Sequence, residues 1–376
     1  MNEQEILNSI VLARLGYYNL AGMLQLYREA GSATLVVENR NNLQDIVPEV
    51  SRRLIEILSD YEKMRPLAEA ELAYNQQHGI QTLTMADKAY PYRLRECADA
   101  PLVLFYKGTA DLNASRVINI VGTRRCTPYG QDLIRNFVSG LRQLSPEVLV
   151  VSGLAYGVDI QAHRQALECG LETVGVLAHG LDDLYPNSHR QTAKKMITQG
   201  GLLTEFMTHT NADKINFVRR NRIVAGISDA CILVESAAHG GGLITAEISR
   251  GYNRDVFAFP GRIGDMYSEG CNNLIRDNGA ALLTDAPSFA KAMGWESDAM
   301  LSKAKIVGIE RDMFPELTAD EQSVVQVLKS NNDLNLNILA VQAGISVSQL
   351  TAVLFELEMK GVVRSLAGGT YHLIEN

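Results

Sequence analysis

The stretch V-I-N-I-V-G-T-R-R, Val117 to Arg125, decides how the chain is read. A short β-branched run, without the alternation of a half-exposed strand, ends in a glycine turn followed by two arginines. The pattern returns in V-L-V-V-S-G (Val148 to Gly153), V-G-V-L-A-H-G (Val174 to Gly180) and L-L-T-E-F (Leu202 to Phe206). It continues in C-I-L-V-E-S (Cys231 to Ser236), V-F-A-F-P-G (Val256 to Gly261) and A-L-L-T-D (Ala281 to Asp285). Helical periodicity lies between these runs, over Tyr129 to Leu144, Asp159 to Glu168 and Thr245 to Tyr252. Near-continuous apolar strands alternating with helices predict a doubly wound α/β domain over residues 81–295, its mostly parallel sheet covered on both faces.

Upstream, residues 1–80 read as a small helical domain. Apolar positions recur at helical spacing through Ile6, Leu7, Ile10, Val11 and through Leu20, Met23, Leu24, Tyr27, and Gly16 and Gly31 mark stops. Two more helices are expected, from Pro48 to Tyr61 and from Leu67 to His78. Downstream, residues 296–315 lack a clear period and read as a linker. Residues 316–376 give helices at Thr318 to Lys329, Asn337 to Gly344 and Val347 to Lys360. The strand pair V-V-R-S-L and T-Y-H-L-I, joined around Ala367-Gly368-Gly369, completes a winged-helix arrangement.

Composition bounds the function. Of 376 residues 46% are hydrophobic and 21% charged, which excludes a disordered chain, and the net charge of −8 excludes a globally basic nucleic-acid coat. No apolar run reaches the ~18 residues of a membrane span, so no membrane partner is expected. The start, M-N-E-Q-E-I-L-N, has neither a basic nor an apolar leader region, and the five scattered cysteines contain no C-x-x-C pair. Reduced thiols and a cytoplasmic location are expected.

In an open α/β sheet, ligands bind at the carboxyl ends of the strands, where helix N-termini offer free N–H groups to anions. This chain places glycine turns there: Gly122-Thr123-Arg124, Ser152-Gly153, Gly180-Leu181-Asp182 and Gly240-Gly241-Gly242, with Thr245 behind the last. Such turns favour glycine for steric reasons alone, but several on one edge, one followed by Arg124-Arg125, favour an anionic ligand. The segment K-I-N-F-V-R-R-N-R-I-V-A-G interleaves Lys214, Arg219, Arg220 and Arg222 with Phe217, Asn216 and Asn221. A charge run is often only a solvated face. Forked cations beside a stacking ring suit phosphates and bases of a single strand.

The chain has no G-x-x-x-x-G-K-[ST], no G-x-S-x-G and no G-x-G-x-x-G, so no nucleotide cofactor is implied. Asp159 and His163 are spaced for one helix face and His189 follows, but no third local ligand accompanies them. Structural hydrogen bonding is expected there rather than metal binding or catalysis.

These segments resemble the bacterial DNA-processing protein A family (DprA, also called Smf). The resemblance rests on I-V-G-T-R-R-C-T-P-Y-G (Ile120 to Gly130), V-S-G-L-A-Y-G-V-D (Val151 to Asp159) and G-L-D-D-L-Y-P-N-S-H (Gly180 to His189). It extends through N-F-V-R-R-N-R-I-V-A-G (Asn216 to Gly226), V-E-S-A-A-H-G-G-G-L-I-T-A (Val234 to Ala246), V-F-A-F-P-G-R (Val256 to Arg262) and S-E-G-C-N-N-L-I (Ser268 to Ile275). Y-P-Y-R-L (Tyr90 to Leu94) and A-P-L-V-L-F-Y-K-G (Ala100 to Gly108) look like the family's lead-in to the sheet. The resemblance implies an extended Rossmann-like domain and a non-enzymatic mediator that binds single-stranded DNA, forms homodimers and loads RecA during natural transformation. Carried over by motif, Arg124, Lys214, Phe217, Arg220 and Arg222 would contact DNA, with the loops at Gly122, Gly153 and Gly241-Gly242 lining the pocket. Gly241-Gly242 stands where many relatives carry a serine-containing S-G-S. Leu15-Gly16-Tyr17-Tyr18 has one glycine where a helix–hairpin–helix module needs two, so residues 1–80 are not expected to bind DNA.

The tail is acidic. From Glu316 to Asn376 three basic residues oppose seven acidic ones, a net of −4, and the third helix has no basic residue before Lys360. A protein-contact or weak accessory role fits it better than a grip on duplex DNA.

Two other functions are weighed. The sheet also resembles nucleoside-monophosphate phosphoribohydrolases with a P-G-G-x-G-T-x-x-E motif. Here Gly240-Gly241-Gly242-Leu243-Ile244-Thr245-Ala246-Glu247 lacks the glycine before Thr245 and brings the glutamate one position early, ~100° around a helix. A transcription regulator with a ligand-sensing sheet is disfavoured by the acidic tail.

Overall fold

The computed structural model describes residues 3–295, 317–360, 362–366 and 369–373, so the expected linker at 296–315 and the turn residues Ala367 and Gly368 lie outside the described residues. The chain divides into two compact units, Met1–Glu296 and Ser297–Asn376.

In the first unit, helices α1 (Glu3–Leu15), α2 (Leu20–Ala30), α3 (Ala33–Glu38), α4 (Arg52–Leu58) and α5 (Tyr61–His78) precede the sheet. A short 3-10 turn, Gly16–Tyr18, joins α1 to α2. α5 starts six residues before the expected Leu67. The helix runs through Pro66, and buried Tyr61 anchors its first turn by donating to Asn8 at 2.7 Å.

The sheet has nine strands: β1 (Gln81–Thr84), β2 (Val103–Gly108), β3 (Val117–Val121), β4 (Leu149–Ser152), β5 (Thr173–Val176), β6 (Gly200–Thr204), β7 (Ala230–Leu233), β8 (Asp255–Ala258) and β9 (Ala281–Leu282). Their order is β1-β2-β6-β5-β4-β3-β7-β8-β9. β3 to β9 pair in parallel, while β1 and β2 extend the β6 edge antiparallel. Helix α6 (Tyr92–Arg95) lies between β1 and β2, and crossovers run through α7 (Pro128–Leu144), α8 (Val158–Glu168), α9 (Arg190–Thr198), α10 (Lys214–Gly226) and α11 (Gly241–Gly251). Helices α12 (Glu269–Arg276) and α13 (Ala286–Ala292) flank β9.

Strand residues alternate between two cores. Val117, Val121, Leu149, Val151, Cys231 and Leu233 face a core shared with the front helices. Ile118, Ile120, Val150, Ala230 and Ile232 face Ile134, Phe137, Leu141 and Phe289 of α7 and α13. Burial on both faces explains why the strands read as unbroken apolar runs. The extended Rossmann-like, doubly wound architecture stands. Because β3 is the first parallel strand and has β4 on one side and β7 on the other, the sheet reverses direction there, which opens a crevice beyond its carboxyl edge.

The second unit holds α14 (Ala319–Ser330), α15 (Leu336–Ala343) and α16 (Val347–Met359), with a three-stranded sheet of β10 (Leu334–Asn335), β12 (Thr370–Leu373) and β11 (Val363–Leu366). It is a winged helix with its own core of Val324, Leu328, Leu339, Leu350, Leu354 and Leu357. Among the described residues no single helix is long and apolar enough to cross a membrane.

Candidate nucleic-acid interface

The crevice at the reversal point encloses about 770 Å3. The turn after β3 supplies Gly122, Thr123, Arg124 and Arg125, and the turn after β4 supplies Gly153 and Ala155. The turn after β7 leads into Gly241, Gly242 and Thr245 of α11, and α10 forms the opposite wall with Lys214, Phe217, Arg220 and Asn221.

Close backbone approach builds this edge. The Thr123 N–H donates to the Glu235 carbonyl at 2.7 Å, which ties the end of β3 to the end of β7. A Cβ at Gly242 would lie 2.9 Å from the Gly122 Cα, so only glycine lets α11 start this close to β3. No side chain caps α11 at Gly240, which leaves its first N–H groups and the positive end of its dipole facing the crevice.

The α10 wall carries the charge and the ring. Asp213 caps the helix by accepting from the Asn216 N–H at 2.8 Å, and Lys214 follows, exposed. Arg124 lies over the Phe217 ring, 5.1 Å from its centroid, with Arg220 also near it at 5.9 Å and Tyr185 edge-on at 5.8 Å. Arg124, Arg125 and Lys214 form no ion pair among the described residues. Arg220 differs from these because it is buried in the floor, donating to the Gly153 carbonyl at 2.6 Å and to that of Val176. Burial lowers its guanidinium to about 10; Asp159 works against that fall and Arg124 adds to it. The Asp159 carboxyl is raised by burial, although it accepts from the Gly153 and Ala155 N–H groups at 3.1 and 3.4 Å. The field in the crevice is therefore positive at the rim, with the one carboxylate that lines it among the described residues sunk and hydrogen-bonded.

Three expected site residues are not in the crevice. Ser152 is buried and its hydroxyl donates to the Ile120 carbonyl at 2.6 Å. Asn216 points to the front helices, accepting from the Tyr17 hydroxyl at 2.6 Å and donating to the Asn211 carbonyl at 3.0 Å. Arg222, 5% exposed, pairs with Glu205 and donates to the Asp99 carbonyl. Each of the three holds the scaffold together. Arg219 is also committed, to Glu205 at 3.2 Å and to the Tyr17 carbonyl at 2.7 Å, with the Tyr17 ring 4.0 Å away. The Gly180 turn lies apart from the crevice, where Asp182 accepts from the His209 N–H at 2.9 Å. Crevice residues that sequence reasoning missed include His239, Ile244 and Tyr267.

His163 and His189 are hydrogen-bonded, His163 Nδ1 with the Thr173 hydroxyl at 2.7 Å and His189 Nδ1 with the Leu154 carbonyl at 2.9 Å. Glu247, the residue a hydrolase would use, is on the surface, its side chain 72% exposed and paired with Arg250.

The sequence profile described as DNA recombination-mediator protein A matches residues 81–294, and that described as DprA winged helix domain matches residues 314–369. The chain is 38% identical over 203 residues to "DNA processing protein DprA" of Streptococcus pneumoniae, covering 54% of this chain and 71% of that one. It is 32% identical over 317 residues to "Protein Smf" of Escherichia coli, covering 82% of each. The X-ray structure of DNA processing protein A from Streptococcus pneumoniae superposes with a TM-score of 0.62 at 31% identity, over 74% of this chain and 95% of that one. A solved structure of DNA processing protein A from Helicobacter pylori, described for its single-stranded DNA binding mode, gives a TM-score of 0.51 at 26% identity, over 57% of this chain and 95% of that one.

Proposed function

The chain belongs to the DNA recombination-mediator protein A family, and from that premise we propose that it binds single-stranded DNA in the crevice between β3 and β7, protects the strand and delivers it to RecA. The carrying observation is the Phe217 ring with the Arg124 and Arg220 guanidinium groups 5.1 and 5.9 Å from its centroid and Lys214 beside it on the same helix face. A ring that stacks on a base, with the unpaired cations Arg124 and Lys214 and uncapped helix N–H groups for phosphates, suits a single strand, whose bases are accessible. In duplex DNA the stacked bases offer Phe217 no face.

We infer that the protein works in the cytoplasm as a homodimer and without catalysis. Asp159 is spent on two backbone N–H groups, and no other carboxylate lines the crevice among the described residues. Hydrolysis of a nucleotide would need a placed acid or base there. The tail suits a protein contact: Lys360, the basic residue ending α16, is paired with Glu321 at 2.6 Å, while Val347, Phe355 and Met359 are exposed along the helix.

The test is a salt-controlled titration of the full chain with oligo-dT and with duplex of equal length, followed by a RecA filament assay. Tight binding to the single strand, salt-weakened, with faster RecA nucleation is expected. Equal affinity for duplex, or no effect on RecA, would overturn the respective parts. Release of free base from nucleoside monophosphates would restore the hydrolase reading.

A further inference from the structure

A second cavity, of about 390 Å3, lies between the front helices and the sheet, away from the strand-binding crevice. That volume falls in the range of small-molecule sites, ~300–1,000 Å3. Its walls are mostly apolar or aromatic, among them Tyr17, Tyr74, Leu102, Phe105 and Phe206.

The charged groups lining it are unequal. Glu205 is neutralised by Arg219 and Arg222, and Arg219 is occupied by Glu205 and the Tyr17 carbonyl. Arg14 is exposed to solvent and lies 5.7 Å from the Tyr17 ring centroid. Glu71 alone is a buried carboxylate with no cationic partner among the described residues. Its Oε2 accepts from the Thr208 N–H at 2.8 Å and the Thr208 hydroxyl at 2.6 Å. Those two bonds cross from α5 to the segment after β6, so the carboxylate is fixed at the seam. Burial raises its carboxyl above the usual range, the Thr208 bonds only partly offsetting this, and the nearby charge of Asp182 pushes the same way. A desolvated carboxylate among aromatic rings attracts an organic cation, through the charge and through the faces of the rings.

We propose that this cavity binds a small organic amine, with its ammonium on Glu71 and its apolar body among Tyr17, Tyr74 and Phe206. The occupant touches both the front helices and Arg219 of α10, and so bridges the seam. An anionic or neutral molecule of the same shape leaves Glu71 desolvated without a cationic partner and binds weakly.

Calorimetric titration of the full chain with tryptamine, phenethylamine and isoamylamine tests this, with indole and indole-3-acetate as neutral and anionic controls. At least one amine is expected to saturate, with affinity about tenfold or more above both controls and a similar loss in Glu71→Gln. Ala13→Leu keeps Glu71 but intrudes on a lining position, and is expected to abolish binding. Three outcomes would overturn the proposal: no saturation by any of the three amines at millimolar concentration, equal binding of the anion, or unchanged amine affinity in Ala13→Leu. If Glu71→Gln does not fold, Ala13→Leu and the two controls decide the question alone. The titration contains no DNA, so its result stands apart from the strand-binding reading.

Discussion

Arg220 donates to the Gly153 carbonyl at 2.6 Å, joining the middle of α10 to the turn that ends β4 and closing the floor of the crevice. A Cβ at Gly153 would sit 2.4 Å from both terminal nitrogens of that guanidinium, so a side chain there must push it off the Gly153 and Val176 carbonyls. Gly153→Ala is therefore expected to cost ~1–3 kcal/mol by overpacking and to weaken oligo-dT binding severalfold. Denaturant melts beside fluorescence anisotropy check it. A variant with native affinity would mean the floor is not set by this contact.

Lys214 and Arg222 lie eight positions apart in one basic run yet should fail differently. Lys214→Ala removes an exposed cation: affinity falls severalfold, the salt slope of single-strand binding drops by ~0.7, and the melting temperature stays put. Arg222→Ala leaves Glu205 buried with one partner fewer, and breaking a buried pair costs ~3–5 kcal/mol. Its main effect should appear in the melt. Equal melting temperatures for the two variants would contradict the assignment of Arg222 to the scaffold.

Phe217 separates stacking from charge. Phe217→Ala should cost ~1–3 kcal/mol of oligo-dT binding, the usual value of one base–aromatic stack, while leaving the salt slope unchanged. Phe217→Tyr should keep most of the affinity. A changed slope with unchanged affinity would reassign the residue to ordering Arg124.

His163 makes stability fall on acidification. Its ring is pushed down to about 3 by burial, with further lowering from Arg220 and His189. Nδ1 is taken by Thr173 and Nε2 is buried without a partner, so a second proton would have no acceptor. The unfolded chain takes that proton near pH 6.5. The contribution is complete above that pH and is lost as pH falls toward 3, by up to ~1.4 kcal/mol per pH unit from this ring. Urea melts from pH 7 to pH 4 should show the slope, and His163→Gln should flatten it.

The fold was legible because its strands are buried on both faces, which leaves unbroken apolar runs such as Val117 to Val121. β1 was not, since Gln81–Thr84 is short and half-polar and acquires its identity by pairing antiparallel with β2. The glycine turns were legible for a steric reason that leaves a mark in the sequence. The basic run showed residue type but not direction. At ~100° per residue, Lys214, Phe217, Val218 and Asn221 share one face, while Asn216 and Arg219 turn to the other, where Tyr17 meets them. The partner that removes Arg222 from the site, Glu205, lies in another element and gives no local signal. His239 and Tyr267 reach the crevice only through the paths of their loops.

The anchoring of α10 bears on how a strand is met. Tyr17 grips the helix at Asn216 and Arg219, while Glu205 and Asp99 grip it at Arg222. Held on the side away from the crevice, the helix cannot rotate about its axis, and Phe217 and Lys214 keep their aim before any ligand arrives. The ordering entropy of the wall has already been met during folding, so a strand binds a preorganised surface, and only its own flexibility is left to lose.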